Sequence, residues 1–272
     1  SEPLEKAENP KKVMVIGGGV AGLCAAFIAK EKGHEVTLYE AGDILGGNMR
    51  LAAYPPGKGD ITNMIRSYIH RCQKDGVKIV MNCEVTPELV KEEKPDSVII
   101  ATGSKTLILP IEGIDNPAII HGSDLLDGKR AAGKKVLVVG GGMVGCETAA
   151  FLGEQEHEVT VIEFRDTVGA DVIHEHRVYL MKDFEDYGIK EITGAKVCKF
   201  YEDGVEYETA DGQRHETRGY DSVILSMGFR NYNPLEEQLK DLVPETHVIG
   251  DAIRARRALD ATKEAYAVAS QI

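Results

Sequence analysis

Residues 13–40 read VMVIGGGVAGLCAAFIAKEKGHEVTLYE, and this stretch decides the fold. The apolar run 13–16 has the composition of a parallel strand buried on both faces. It leads straight into Gly17-x-Gly19-x-x-Gly22, then into a helix rich in Ala, Leu and Phe. A second strand over 35–39 ends on Glu40. This is the order a dinucleotide site requires. Gly17 permits the tight turn, Gly19 lets a pyrophosphate approach the backbone, and Gly22 lets the helix pack against the strand. The helix start at Val20 and Ala21 offers unpaired N–H groups and a positive dipole end to phosphates. Glu40, followed by Ala41, is placed to accept hydrogen bonds from a ribose hydroxyl pair.

The pattern then occurs again. Residues 136–163 read VLVVGGGMVGCETAAFLGEQEHEVTVIE, with Gly140, Gly142 and Gly145 flanking Val144 and with Glu163 as the acid. The acid follows the first glycine at the same distance in both copies. The copies also close alike: Asp96-Ser-Val-Ile-Ile-Ala101-Thr102-Gly103 matches Asp221-Ser-Val-Ile-Leu-Ser-Met-Gly228. A whole nucleotide-binding domain has been duplicated. Two dinucleotides on one chain imply electron transfer between them.

At 272 residues the chain is long enough for about two domains, each with its own core. Charged residues make up 28% and hydrophobic residues 43%, the balance of a soluble globular protein. A formal charge of −12 argues against nucleic acid or anionic membrane as partner. No apolar stretch reaches membrane-spanning length and the start does not resemble a signal peptide, so the expected location is the cytoplasm. The serine start and the early first strand suggest a processed terminus or an excised piece. The five cysteines (Cys24, Cys72, Cys83, Cys146, Cys198) form no C-x-x-C or C-x-x-x-x-C pair. Neither a disulfide framework nor a cysteine-held metal is expected. His174 and His176 sit two apart in a helical pattern, so their side chains diverge and no metal site is expected there.

Residues 1–10, with Pro3 and Pro10, read as a linker. The segment 41–58, with Gly46-Gly47 and Pro55-Pro56-Gly57, reads as a long and therefore functional loop. Residues 62–74 carry a helical apolar stripe at 64, 65, 68, 69 and 72 that faces a core. A strand is expected over 78–81, a short helix from the cap Thr86-Pro87, and a buried strand over 97–100. Residues 105–133 form a crossover. After Glu163 the spacing predicts a helix over 172–187 capped by Gly188. Three short strands follow around Asp203-Gly204 and Asp211-Gly212, a β-meander, and a strand over 222–225 closes the second copy. A strand over 246–249 and a helix over 259–269 return to complete the first. The expected fold is α/β, with two Rossmann-like domains built on parallel central sheets with β-meanders, the second inserted into the first. The domains are 11–120 plus 229–272, and 121–228.

The ordered series of two Gly-x-Gly-x-x-Gly…Glu motifs, Ala101-Thr102-Gly103 and a late Gly250-Asp251 resembles the two-dinucleotide flavoproteins, the pyridine nucleotide–disulfide oxidoreductases and their relatives. Within them the chain is similar to the C-terminal half of the old-yellow-enzyme relatives of the 2,4-dienoyl-CoA reductase, 2-enoate reductase and trimethylamine dehydrogenase type. The stretches that carry this are Asn9-Pro-Lys-Lys-Val, Gly46-Gly-Asn-Met-Arg, Pro56-Gly-Lys, Ile111-Glu-Gly-Ile-Asp and Leu259-Asp-Ala. The resemblance spans 9–272. The redox cysteine pair of the disulfide reductases is missing, which removes disulfide reduction. The N-terminal barrel with FMN and the iron–sulfur segment of the old-yellow-enzyme relatives are not in this sequence, so those groups are expected only in a missing N-terminal half.

The resemblance implies FAD at the first copy: Gly17, Gly19 and Gly22 at the pyrophosphate and Glu40 at the adenosine ribose. It places Gly47, Asn48, Met49 and Arg50 on the flavin side, and Val85 at the adenine through its backbone. Asp251, after Gly250, would hold the ribityl hydroxyls. Leu259, Asp260 and Ala261 would aim a helix N-terminus at the flavin pyrimidine. Each has a plainer reading beside it: Asp251 as a turn cap, Arg50 as a solvated loop residue. The second copy is expected to bind NADH, since Glu163 accepts from a 2′-hydroxyl and repels a 2′-phosphate, while NADPH stays open because Arg165 lies close by. Glu147 either approaches the nicotinamide or is a solvated helix acid. Hydride transfer between two cofactors needs alignment rather than a protein acid or base, so no catalytic residue is expected. Three readings follow: an FAD-dependent NAD(P)H oxidoreductase module feeding an electron-acceptor domain of an enoate or dienoyl-CoA reductase-like enzyme, a stand-alone NADH-dependent reductase of a small electron-carrier protein, or a non-redox module holding ADP.

Overall fold

The computed structural model describes residues 4–55 and 57–272. The first residues of the expected linker and Pro56 of the Pro56-Gly-Lys stretch lie outside the described residues. The chain opens with Lys12–Ile16 (β1), Val20–Glu31 (α1), Glu35–Tyr39 (β2), Gly59–Asp75 (α2), Lys78–Val80 (β3), Pro87–Glu93 (α3) and Ser97–Ile100 (β4). It continues through Ser104–Thr106 (β5), Ile120–His121 (β6), Gly122–Leu126 (α4), Lys135–Val139 (β7), Met143–Glu154 (α5), Glu158–Ile162 (β8), His174–Asp186 (α6) and Lys190–Ile192 (β9). Lys196–Tyr201 (β10), Gly204–Glu208 (β11), Arg214–Thr217 (β12), Ser222–Leu225 (β13), Phe229–Asn231 (β14), Glu236–Leu239 (α7), Glu245–Val248 (β15) and Ala258–Ala269 (α8) complete it.

The fold is α/β, and the chain divides into two compact units. The first comprises the described residues of Ser1–Ala53 together with Gly59–Lys105 and Arg230–Ile272. Its parallel sheet has the order β15-β4-β1-β2-β3. Val15 stands between Leu38 and Ile99 in register, and Val98 pairs with Thr246 of the returning strand. The β-branched runs of β1 and β4 are buried almost throughout, as central parallel strands must be. α1 is buried from Ala21 to Ala29 because it is covered on two sides. The sheet lies on one, and α8 lays Ala261, Ala265 and Ala269 against it on the other. Small residues on both helices let them approach closely.

The second unit comprises the described residues of Tyr54–Lys58 together with Thr106–Phe229. Its sheet, β6-β13-β7-β8-β9, is parallel too, with Leu137 between Thr160 and Val223. The antiparallel β10-β11-β12 sheet is the meander, with an irregularity between Val197 and Lys199. Gly188 (φ +64°) ends α6, and the Ile189 N–H reaches back to the Phe184 carbonyl.

The structure refines the sequence reading in several details. Among the described residues the meander occurs once, in the second unit; in the first unit the chain between β3 and β4 forms the expected short helix α3, where Thr86 Oγ1 accepts from the Leu89 N–H and Pro87 occupies the first turn. The loop 41–58 contains a short 3₁₀ helix, Gly47–Ala53, whose Leu51 is buried. The crossover residues 106–120 group with the second unit: β6 pairs with β13, and the Phe200 N–H donates to the Glu112 carbonyl. The strands β5 and β14, which pair with each other, were not read from the sequence at all.

His34, at 1% exposure, joins α1 to β2. Its Nδ1 accepts from the Lys11 N–H at 3.0 Å, which leaves the proton on a buried Nε2 without a partner. Burial, then the charges of Lys11 and Lys32, push its pKa below the ordinary value of 6.5, against a smaller opposing effect of Glu245. The unfolded chain therefore binds a proton in a range where the folded chain does not. Stability from this group is full above about pH 6.5 and falls as the pH drops through and below that value, by up to about 1.4 kcal/mol per pH unit. Thermal unfolding of the wild type and His34→Gln from pH 7.5 to 5 should show the steeper acid decline in the wild type; equal slopes would refute the assignment.

Candidate functional site

In both copies the strand must turn sharply and hand over to a helix that hugs the turn. Gly17 and Gly140 adopt φ of +107° and +108°, a region glycine enters freely. A Cβ on either would lie 2.3 Å from a carbonyl oxygen, that of Ala101 or of Ser226. A Cβ on Gly22 or Gly145 would lie 1.9 or 1.8 Å from the carbonyl of its own first glycine. These four glycines are required by the protein itself. Gly19 is different: its φ is an ordinary −72°, and a Cβ there would meet nothing within 4 Å. The space before the α1 N-terminus is open, as the approach of a pyrophosphate would need.

The two acids are held alike. Glu40 Oε2 accepts from the Gly18 N–H (2.7 Å) and Oε1 from the Gly42 N–H (2.7 Å). Glu163 Oε2 accepts from the Gly141 N–H (2.6 Å) and Oε1 from the Arg165 N–H (2.9 Å). Each carboxylate thus clamps its own turn to the loop after the second strand. The likeness continues beyond the acids: the Gly46 N–H donates to the Gly18 carbonyl (2.8 Å) and the Gly169 N–H to the Gly141 carbonyl (2.7 Å).

In the first unit, Gly250 (φ +63°) is gripped where α1 and α8 begin; a Cβ on it would meet Ala21 at 3.0 Å and Ala261 at 3.4 Å. Asp251 Oδ2 accepts from the Ser104 hydroxyl (3.1 Å) and Oδ1 from the Arg256 N–H (3.1 Å). Asn48 Nδ2 donates to the Ser104 carbonyl (3.0 Å). Asn48, Ser104 and Asp251 therefore form one polar chain beside the α8 N-terminus. Met49 and Arg50 lie in the same 3₁₀ helix as Asn48. Asp260 is committed to its own helix, accepting from the Arg257 N–H at 3.4 Å, while Leu259 is largely exposed. Thr102 donates to the Tyr232 carbonyl (2.5 Å), and Gly103 and Gly228 accept from the N–H groups of Tyr232 and Leu107. The side chain of Val85 is buried.

In the second unit, Glu147 is 5% exposed, so the solvated-acid reading is overturned. Its Oε1 contacts Lys58 Nζ and lies 3.2 Å from His176 Nε2. A carboxylate so buried would be costly without such partners. Neither Lys58 nor His176 was singled out for this in the sequence, because their partner lies far away along the chain. The three helix cysteines are chemically quiet. Burial pushes Cys24 up to about 11, and Cys72 and Cys146 up to about 12. Among the described residues no three His, Cys, Asp or Glu side chains are grouped to hold a metal, and no helix is long and apolar enough to cross a membrane.

Comparison with known proteins supplies the wider setting. The model of the pyridine nucleotide-disulphide oxidoreductase family matches residues 11–252. The chain is 34% identical over 272 residues to a cinnamate reductase of Clostridium sporogenes, covering 99% of this chain and 40% of that protein. It is 34% identical over 275 residues to an NADH oxidase of Thermoanaerobacter brockii, covering 99% and 42%. A solved 2-naphthoyl-CoA reductase in complex with 2-naphthoyl-CoA superposes with a TM-score of 0.93 at 32% identity, covering 99% of this chain and 41% of that one. The chain thus spans about two fifths of the length of these relatives. With the paired turns, the paired acids and this match across most of its length, the chain belongs to the pyridine nucleotide-disulphide oxidoreductase family.

Proposed function

We propose that the chain is a reductase module that takes hydride from NADH onto FAD and passes the electrons onward, with FAD at the first unit and NADH at the second. The observation that carries this reading is the repeated turn with its clamped acid, together with the open space at Gly19 that nothing in the protein explains. Gly17, Gly19 and Gly22 with the Val20 and Ala21 N–H groups receive the FAD pyrophosphate, and Glu40 the ribose. Asp251, already fixed by Ser104, orients the ribityl hydroxyls. Asn48 and Arg50 line the flavin side, and the first turn of α8 at Leu259–Ala261 directs its positive end at the pyrimidine. In the second unit Gly140, Gly142, Val144 and Gly145 receive the NADH pyrophosphate.

Bound FAD supplies a two-electron acceptor and NADH supplies the hydride. The residues bind, orient and exclude water. Glu147, holding Lys58 and His176, fixes Lys58 to α5. Glu163, whose carboxylate stays at the turn through two N–H donors, accepts from a 2′-hydroxyl and repels a 2′-phosphate. The onward acceptor in this reading is a conjugated acid or its CoA thioester, reduced on the part of the relatives that this chain does not span. FMN and an iron–sulfur cluster belong there too.

The reading is tested by anaerobic titration of the purified, FAD-supplemented protein. NADH should bleach the flavin absorption, and NADPH should do so at least about tenfold more slowly, the cost of a like-charge contact. A protein that stays colourless after added FAD refutes it. Two glycine variants separate ligand from fold. Gly19→Ala should cost the fold under about 1 kcal/mol yet sharply reduce retained FAD. Gly22→Ala should destabilise by about 3 kcal/mol or more, because the methyl meets backbone. Thermal unfolding and flavin content per chain report the two effects independently.

A further inference from the structure

The two copies differ at one place that matters for binding. In the first, a Cβ on Gly19 would meet nothing within 4 Å, although Gly46 and Gly47 run alongside its backbone. In the second, the corresponding space is filled: Asp171 Oδ1 accepts from the Met143 N–H, the first of α5, at 3.0 Å. A Cβ on Gly142 would lie 3.2 Å from Asp171 Oδ2. The repeat explains how an acid comes to be there. Counting forward from Gly46 and Gly169, whose N–H groups make the same bond in both copies, Asp171 takes the position of Asn48. The segment that carries it is held by the Gly169 bond to Gly141, and by Arg177, which donates to Thr167 Oγ1 (2.9 Å) and the Val168 carbonyl (3.1 Å).

A carboxylate at a helix N-terminus satisfies the donors and the dipole that a phosphate would use. The geometry points to Asp171 as an internal competitor for the pyrophosphate of the pyridine nucleotide. The carboxylate caps α5 and must leave before a dinucleotide can seat on Gly142 and the first turn of α5. This inference rests on the assignment of the second motif to NADH. Its consequence is a second site weakened relative to the first by the free energy of its own cap. Asp171 is therefore a residue that sets nucleotide affinity, acting against binding rather than for it. A carboxylate that contacted the ribose, or that only shaped the loop, would act in the opposite direction or not at all.

The test is isothermal titration of the 272-residue chain loaded with FAD, using ADP-ribose, which carries the adenosine and pyrophosphate but no hydride. Asp171→Asn keeps the shape and removes the charge; Asp171→Ala removes the cap altogether. Asp171→Ala should bind ADP-ribose about threefold to thirtyfold more tightly than the wild type, the range set by the worth of a helix N-cap, and Asp171→Asn, which keeps a capping oxygen without the charge, should gain less. Asp171→Ala should also melt at a lower temperature when free of nucleotide and gain more on adding it. Equal or weaker binding by Asp171→Ala, with cooperative thermal unfolding retained, overturns the inference while leaving the NADH assignment standing. Absence of binding by the wild type and both variants at millimolar ADP-ribose overturns the assignment of the second motif and the inference with it.

Discussion

The contact on which the rest depends is the one between the third glycine of each motif and the carbonyl of the first. No side chain fits there: a single methyl would be driven to within 1.9 Å of oxygen in the first unit and 1.8 Å in the second. That closeness pulls the helix start onto the end of the central strand. It sets the unpaired N–H groups of the helix in front of the sheet, at the crevice where open α/β sheets take ligands. The following strand then brings the acid back to the same turn. Everything placed around the crevice follows from that one approach, including the loop that returns through Gly46 or Gly169.

Duplication preserved the scaffold and let the lining diverge. The clamped acids, the positive-φ first glycines and the bonds from Gly46 and Gly169 are the same twice over. What differs is polarity around the opening. The first unit adds the chain of Asn48, Ser104 and Asp251 beside a second helix N-terminus, that of α8. The second has its own carboxylate at the α5 N-terminus and a buried ion cluster one turn further along the helix.

Much of this was legible in the chain because the signals are local. Alternation of a β-branched run, a glycine turn and an alanine-rich helix lies within thirty or so residues, and its recurrence removes chance. The return of β15 to the first sheet followed from a strand and helix left over once the second copy had closed. The rest was hidden for a physical reason. Glu147 looks like any helix acid until tertiary packing buries it against Lys58 and His176. The contact between Asp171 and Met143 depends on the path of a loop rather than on a spacing. The short strands β5, β6 and β14 carry no periodicity of their own and exist because a neighbouring strand or linker pairs with them. The helix α3 was visible, through its threonine cap and proline.

The clamping of Glu163 has a bearing on redesign. Converting a dinucleotide site from one pyridine nucleotide to the other is commonly conceived as replacing the acid by a small or basic side chain. Here the acid also serves as the acceptor for the Gly141 and Arg165 amides. A glutamine keeps one acceptor and orphans one backbone donor, and a small or basic side chain orphans both, so recoding this pocket calls for a second acceptor supplied from elsewhere at the turn. The rigidity of the turn is written into the same two oxygens that the proposed reading assigns to the nucleotide.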